Sequence, residues 1–258
     1  MSVAKHKLQV TDLSLSFNGV AAISDVTMHV DSGFTGLIGP NGAGKTTLLN
    51  AISGFVKASA GSIDLEGRPI TNMRPDAVAR AGVGRTFQTP RLVNHLSLRD
   101  NVLLGLDGRR SLLRQAGDLL RAKAYEAEAR EEADAFIAAL GLHPRVRADS
   151  LPLPSRKVVE IARAVISRPS LLLLDEPAAG LSSSDVARVI GPLTELVATM
   201  NIAVLIIEHD IAFISQLCQR LVALHLGRIV ADGTPLEVAN NRTVVEAYLG
   251  GRHVPVDD

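Results

Sequence analysis

Hydrophobic and polar positions alternate along residues 8–38, and this pattern predicts antiparallel strands. Turn residues interrupt the alternation at Asn18-Gly19 and at Asp31-Ser32-Gly33. Residues 61–70 predict a further hairpin. The apolar run that ends at Ile38 predicts one buried strand leading into a glycine-rich turn.

Helical periodicity replaces the alternation from about residue 90 to residue 168. Residues 125–140 predict a helix that ends at Gly141. The apolar segments 171–174 and 202–207 each precede helical sequence, as is typical of buried parallel strands. The sequence therefore predicts an α/β protein with an N-terminal antiparallel β subdomain and an inserted helical subdomain. We assign residues 1–88 and 166–258 to the α/β core with its C-terminal tail, and residues 89–165 to the helical subdomain.

The amino-acid composition argues against one class of partner. The 258 residues contain 27 basic and 27 acidic side chains, so the formal net charge is +0. A balanced chain has no broad positive field to attract nucleic acid, and we expect no nucleic-acid partner. The single cysteine, Cys218, cannot form an internal disulfide, and its apolar surroundings favour a buried structural thiol over a nucleophile.

The N-terminus has no apolar core of the kind found in signal peptides. The sequence also contains no run of about 18 consecutive apolar residues, the length at which a membrane-spanning helix is expected. We therefore expect that the chain neither spans a membrane nor is exported, and that any membrane role comes through a partner.

A phosphate-binding loop is predicted directly after the buried strand. Residues 39–46 fit the pattern GxxxxGK[ST], in which small residues let backbone N–H groups curl around a triphosphate. Lys45 is predicted to reach the β- and γ-phosphates, and the Thr46 hydroxyl to bind Mg²⁺. The alternative is an ordinary glycine-rich turn. The predicted phosphate-binding residues are Gly39, Pro40, Asn41, Gly42, Ala43, Gly44, Lys45, Thr46 and Thr47.

Two carboxylates follow the first of the later apolar segments, in Asp175-Glu176-Pro177. The carboxyl ends of parallel strands are where open α/β sheets bind ligands. Asp175 is predicted to hold Mg²⁺, directly or through water, and Glu176 to polarise the attacking water. Such a segment standing alone would be a solvated turn, but its place behind four leucines and downstream of the phosphate loop favours the catalytic interpretation.

Two further side chains are candidates for the same chemistry. His209 follows the second apolar segment, where a neutral imidazole can hydrogen-bond a γ-phosphate or the catalytic water; the alternative is a structural cap. Gln88 lies where the helical insertion begins, and its amide can reach the metal or the water; the alternative is an ordinary polar residue.

In this order along the chain, these motifs resemble the ATP-binding subunits of ABC transporters, over nearly the whole sequence. The resemblance implies a P-loop NTPase fold of the ABC ATPase type, with ATP and Mg²⁺ as ligands. Phe17 takes the place of the aromatic that stacks on adenine in that family, although a core phenylalanine is the alternative. Residues 227–235 and 244–250 are similar to the ATPases of branched-chain amino acid importers in particular.

The resemblance also implies partners and a location. Membrane permease subunits are expected, together with a second ATP-binding subunit, while a solute-binding protein would be involved only indirectly. The chain is expected to be cytoplasmic and peripheral on the inner face of the cell membrane. Residues 89–96 could form part of a groove for a permease helix, or simply pack as helix.

One motif departs from the family. The family has a Leu-Ser-Gly-Gly-Gln signature, which contacts the γ-phosphate of the nucleotide bound to the opposed subunit. This chain has Leu151-Pro152-Leu153-Pro154-Ser155 in its place. Pro152 has no hydroxyl and Pro154 has no N–H, so both phosphate donors are lost, while Ser155 is expected to cap the helix and substitute in part. These features predict half of a heterodimer and a poor ATPase alone.

Two alternatives stay open within the family. The chain could be a regulatory subunit that holds nucleotide with little turnover, although Glu176 and His209 argue against it. It could also serve a lipid or lipopolysaccharide exporter, from which only the C-terminal resemblance separates it. An ABC ATPase acting on DNA or ribosomes has less support, because those chains commonly carry two nucleotide domains.

Overall fold

The structure is a computed structural model that describes residues 6–106 and 119–249. The described chain folds into two compact units. The first combines the segment up to Arg74 with the segment from Ala203 onward, and the second is formed within Pro75–Ile202.

An antiparallel sheet forms the N-terminal part of the first unit, with the strand order β2-β1-β4-β5. Its strands are β1 (Leu8–Phe17), β2 (Val20–Val30), β4 (Ala60–Leu65) and β5 (Arg68–Pro69). Leu8 of β1 lies opposite Val30 of β2 on one side and opposite Leu65 of β4 on the other, and all three side chains are buried. The predictions of antiparallel strands at the N-terminus and of a hairpin at 61–70 are confirmed.

Parallel strands of the first unit lead into the predicted phosphate loop. The strand β3 (Gly33–Ile38) pairs in parallel with β8 (Ala203–Ile207) on one side and β9 (Arg220–His225) on the other, and β10 (Arg228–Gly233) pairs antiparallel with β9. Every residue of β8 is buried, as its unbroken apolar sequence predicts. The helices of this unit are α1 (Lys45–Ile52), α7 (Ile211–Leu217), α8 (Pro235–Ala239) and α9 (Arg242–Leu249).

The second unit combines a parallel strand pair with five of the helices found in the described residues. The strand β6 (Val83–Arg85) pairs with β7 (Leu171–Asp175). The helices are α2 (Pro75–Ala81), α3 (Leu98–Leu103), α4 (Leu119–Ala139), α5 (Leu153–Val165) and α6 (Ser183–Met200), with single 3₁₀ turns at Leu104–Leu106 and Ala148–Ser150.

The helices α3, α4 and α5 share a hydrophobic core. Val102, Ile137 and Val159 are fully buried in it, one from each helix. The predicted helix at 125–140 is confirmed, although it begins earlier, at Leu119. It ends where predicted because Gly141 takes a φ of 70°, a backbone conformation that glycine adopts without strain. The predicted division of the chain at residues 88 and 165 stays a prediction.

Within residues 6–106 and 119–249, no helix combines the length and the apolar character needed to cross a bilayer.

Candidate nucleotide-binding and hydrolysis site

The loop between β3 and α1, where phosphate binding is predicted, has a glycine at each end. Gly39 takes a φ of 148°, and a Cβ there would lie 2.1 Å from the carbonyl oxygen of Leu224. Gly44, at the N-cap of α1, takes a φ of 105°, and its Cβ would lie 2.7 Å from the carbonyl oxygen of Ala22. Only glycine fits at either end, because both the backbone angle and the available space exclude a side chain.

Lys45 opens α1 and bends back over this loop. Its side chain is buried, with 6% of its surface exposed, and Nζ donates hydrogen bonds to the carbonyl oxygens of Gly39 at 2.7 Å and Pro40 at 3.0 Å. The N-cap is a glycine without a side-chain oxygen, and the first turn of α1 contains no acidic residue. The first N–H groups of a helix lack partners within the helix, so this terminus suits an anion.

His209 lies at the same sheet edge as the loop. Leu37 of β3 is in register with Ile207 of β8, so His209 projects beyond the strand end at the level of Gly39, and it is exposed. Capping of the following helix falls to its neighbour, because Asp210 Oδ1 accepts a hydrogen bond from Phe213 N at 3.0 Å. The imidazole is therefore not the cap of α7.

Phe17 is the last residue of β1, and 46% of its surface is exposed. This exposure excludes the alternative of a core phenylalanine. The ring has the access that a stacking partner requires, and its contact with adenine stays a prediction.

The second unit brings Gln88 and Glu176 together. The amide Nε2 of Gln88 donates a hydrogen bond to Oε2 of Glu176 at 2.7 Å. Glu176 takes a φ of 51°, a left-handed conformation that turns the chain sharply after β7. Backbone strain of this kind at a non-glycine residue is concentrated at functional sites.

Asp175, the last residue of β7, is buried beside a cation. Its Oδ2 lies 3.6 Å from a guanidinium nitrogen of Arg85, which ends the adjacent strand β6. Burial lowers the pKa of Arg85, and the charge of Asp175 acts in the opposite direction. The sequence analysis predicted Asp175 but not its neighbour Arg85.

Lys157 is a further residue that the sequence analysis missed. It lies on α5, is buried, and donates from Nζ to the carbonyl oxygens of Glu176 at 3.0 Å and Ala179 at 2.8 Å. These two bonds hold the turn that carries Glu176. Lysine is almost never fully buried without partners, so a lysine within the apolar face of a predicted helix was the available signal.

Glu160, one turn along α5, holds the segment that follows Gln88 in the same way. Its Oε1 accepts from the backbone N–H of Arg91 at 3.0 Å and from Arg163 at 3.2 Å. Burial raises the pKa of Glu160, while these donors oppose the rise. One face of α5 thus anchors both segments that carry the predicted catalytic residues Gln88 and Glu176.

Replacing Lys157 with methionine is expected to lower the ATP turnover number roughly tenfold, with KM changed less than threefold. Methionine fills similar space but cannot donate to the carbonyls of Glu176 and Ala179, so the turn loses its anchor. Steady-state ATPase assays, run with a partner ATPase if the chain needs one, measure both constants. Lys123→Met on the exposed side of α4 is the matched control. Equal turnover in the two variants would contradict the anchoring role.

The segment 151–155, where the sequence analysis expects an altered signature, begins α5 without a side-chain cap. The N-cap is Pro152, and Pro154 is the second helical residue. The expectation that Ser155 caps the helix is wrong: Ser155 lies inside the helix as its third residue, because Pro152 and Leu153 begin it earlier than the sequence suggested. Pro152, Pro154 and Ser155 line part of a cavity of about 580 Å³, which Arg188 of α6 also lines.

Cys218 is buried as predicted, with 5% of its surface exposed. Burial raises the pKa of its thiol to about 12. The thiol is therefore protonated at neutral pH, which agrees with a structural role.

Two protein-family models match the chain. The model described as ABC transporter matches residues 23–179, and the model described as Branched-chain amino acid ATP-binding cassette transporter matches residues 228–254.

Individual relatives match over nearly their full lengths. The high-affinity branched-chain amino acid transport ATP-binding protein LivG of Salmonella typhimurium is 34% identical over 249 residues, covering 94% of this chain and 97% of that protein. BraF of Pseudomonas aeruginosa, which carries the same description, has the same identity and coverage. A solved structure of the ADP conformation of MJ1267, an ATP-binding cassette of an ABC transporter, has a TM-score of 0.80 at 30% identity, and the match covers 95% of this chain and 99% of that one.

Proposed function

Because this chain belongs to the ABC transporter family, as an ATP-binding subunit with ATPase activity, we propose that it powers the import of branched-chain amino acids or similar small solutes. The single observation that carries the substrate class is the C-terminal segment, whose residues 228–254 match the branched-chain amino acid type. LivG and BraF are both described as branched-chain amino acid transport ATP-binding proteins, and they support the same assignment.

We propose that residues 39–47 bind the phosphates of ATP and that Phe17 stacks on its adenine. The loop offers the amides of an uncapped helix N-terminus and the ammonium group of Lys45. In the present conformation that ammonium group is bonded to the carbonyls of Gly39 and Pro40. It would reach a phosphate by exchanging one of these neutral acceptors for a charged one, which is the stronger partner.

We propose that three side chains would hold a magnesium ion, which favours oxygen ligands. They are the Thr46 hydroxyl, the Asp175 carboxylate and the Gln88 amide oxygen. Gln88 uses its nitrogen to hold Glu176, so its oxygen can serve as the ligand at the same time. Bound Mg²⁺ would neutralise charge on the phosphates.

Glu176 is proposed to orient and deprotonate the attacking water. The water oxygen would form a bond to the γ-phosphorus as the bond to the bridging oxygen breaks, which yields ADP and phosphate. His209 would hydrogen-bond the γ-phosphate or this water from the sheet edge, where its ring is exposed. Gln88 keeps the carboxylate of Glu176 in place through its 2.7 Å hydrogen bond.

The partner assignment follows from the segment that replaces the signature. A copy of this chain would offer an opposed nucleotide neither a hydroxyl from Pro152 nor an N–H from Pro154. Each lost donor to a charged partner costs about 1.5–3 kcal/mol. We therefore propose a heterodimer, in which a second ATP-binding subunit supplies an intact signature to this chain's phosphate loop.

Coupling to permease subunits is proposed to pass through residues 89–96, within the predicted helical subdomain 89–165. Arg91, Asn94 and His95 are exposed there, while the segment is held from behind by Glu160 through the amide of Arg91. An exposed segment anchored next to Gln88 can pass a displacement to the catalytic amide. The subunit would then lie on the cytoplasmic face of the membrane, in contact with the permeases.

The proposal is tested by steady-state ATPase assays of the purified chain, alone and with candidate partner ATPases. We expect slow turnover alone and at least about tenfold faster turnover with the correct partner, since the missing donors limit closure of a homodimer. Calorimetry with Mg²⁺ and ATP, with Lys45→Ala as the control, reports binding separately. Brisk turnover by the chain alone would overturn the heterodimer. Binding without turnover in every pairing would favour a regulatory subunit.

A further inference from the structure

We propose that Tyr248, on the C-terminal helix α9, is a positioning residue that pre-organises the phosphate loop for ATP. This inference rests on the proposed role of residues 39–47 in binding phosphate. The C-terminal segment, which matches the branched-chain amino acid family model, would thus also act at the nucleotide site.

The contact joins two distant parts of the sequence. The backbone N–H of Gly39 donates a hydrogen bond of 2.7 Å to the Tyr248 hydroxyl oxygen, across 209 positions. Gly39 is the first residue of the loop, directly after β3. The hydrogen bond to Tyr248 therefore fixes the backbone at the point where the strand ends and the loop begins.

The same glycine is held from its other side by Lys45. The carbonyl of Gly39 accepts from Lys45 Nζ at 2.7 Å while its N–H donates to Tyr248, so both polar groups of this residue are fixed by side chains. The backbone of Leu224 leaves no room beside its Cα. When Lys45 turns toward a phosphate, Tyr248 remains as the side-chain tether of the loop's first residue.

Two features of helix α9 hold the Tyr248 hydroxyl in position. Asn241 caps its first turn, accepting from the N–H groups of Thr243 at 3.0 Å and Val244 at 3.3 Å. Val244 is buried and lies four residues before Tyr248, so both side chains share one face of the helix. Val244 anchors that face, and Tyr248 extends from it to Gly39.

Tyr248 can hold the loop without adding charge to it. Burial raises its pKa, and the hydrogen bond from Gly39 acts in the opposite direction. At neutral pH the group is a hydroxyl that accepts one hydrogen bond and adds no negative charge beside the phosphates.

The test is Tyr248→Phe in the full chain, which removes only the hydroxyl oxygen. We expect the Kd for ATP with Mg²⁺, measured by calorimetry, to rise roughly five- to tenfold, because a buried amide loses its acceptor and the loop its order. In the assembled transporter ATPase, KM should rise by a similar factor while kcat stays within twofold. Backbone hydrogen exchange in peptides spanning residues 39–44 should become faster.

The chain contains only two tyrosines, which supplies the control. Tyr125→Phe, in the second unit, removes the other phenolic hydroxyl. This variant should leave the Kd, the KM and hydrogen exchange at residues 39–44 unchanged. If Tyr248→Phe matches the wild type in Kd and in exchange, the positioning role is wrong while the proposed function stands. If the wild-type chain binds no ATP, the proposed function fails and the inference fails with it. A loss of kcat at unchanged KM would also overturn the inference.

Discussion

Glu176→Gln is expected to lower the ATP turnover number at least ~100-fold while ATP binding is retained. Glutamine keeps the shape of the side chain and its contact with Gln88, which lies 2.7 Å from the carboxylate in the wild type. It cannot accept the proton of the attacking water, so the rate of the chemical step should fall while the Kd for ATP stays the same. The turnover number is measured in the presence of the partner ATPase, and the Kd for ATP by calorimetry.

A matched substitution separates this effect from a general loss of charge. Glu195→Gln changes an exposed glutamate on α6, within the same unit, and should leave turnover unchanged. If Glu176→Gln retained more than about a third of wild-type turnover, a base with a contribution of roughly 10²-fold could not be assigned to Glu176. If both variants lost ATP binding, the defect would lie in folding.

Local patterns in the sequence are enough to predict part of the candidate site. The phosphate-loop prediction rests on a glycine at each end of the loop, and the structure shows why glycine is needed at Gly39 and Gly44, where a Cβ would collide with backbone carbonyls. The buried strand before Asp175 was equally recognisable, because parallel strands covered on both faces are continuously apolar. The strands and helices confirm the α/β class, and the family comparisons confirm the ABC ATPase type.

Long-range contacts between side chain and backbone could not be predicted in the same way. Lys157 and Tyr248 act on backbone groups that lie 19 and 209 positions away, and no spacing rule connects such pairs. The capping role expected of Ser155 was wrong because two prolines shift the start of α5: proline is compatible with the first turn of a helix, so the helix begins before the serine.

In a chain assayed without any partner, Pro152→Ser with Pro154→Gly is expected to raise ATPase activity roughly 10- to 100-fold. The serine would stand at the N-cap, where its hydroxyl can cap α5 or face an opposed phosphate, and the glycine would restore an N–H at the second helical residue. Two donors worth about 1.5–3 kcal/mol each are enough for a gain of this size, even when part of the energy is used to order the loop.

The control for this gain removes the proline rings without restoring both donors. Pro152→Ala with Pro154→Ala supplies the N–H but no hydroxyl, and it should give a much smaller increase in the same steady-state assay. A rise of equal size in both double variants would mean that the rings obstruct closure sterically and that the donors are not limiting. No rise in either variant, with ATP binding intact, would mean that residues 151–155 do not limit turnover, and the physical reason for a heterodimer would be lost.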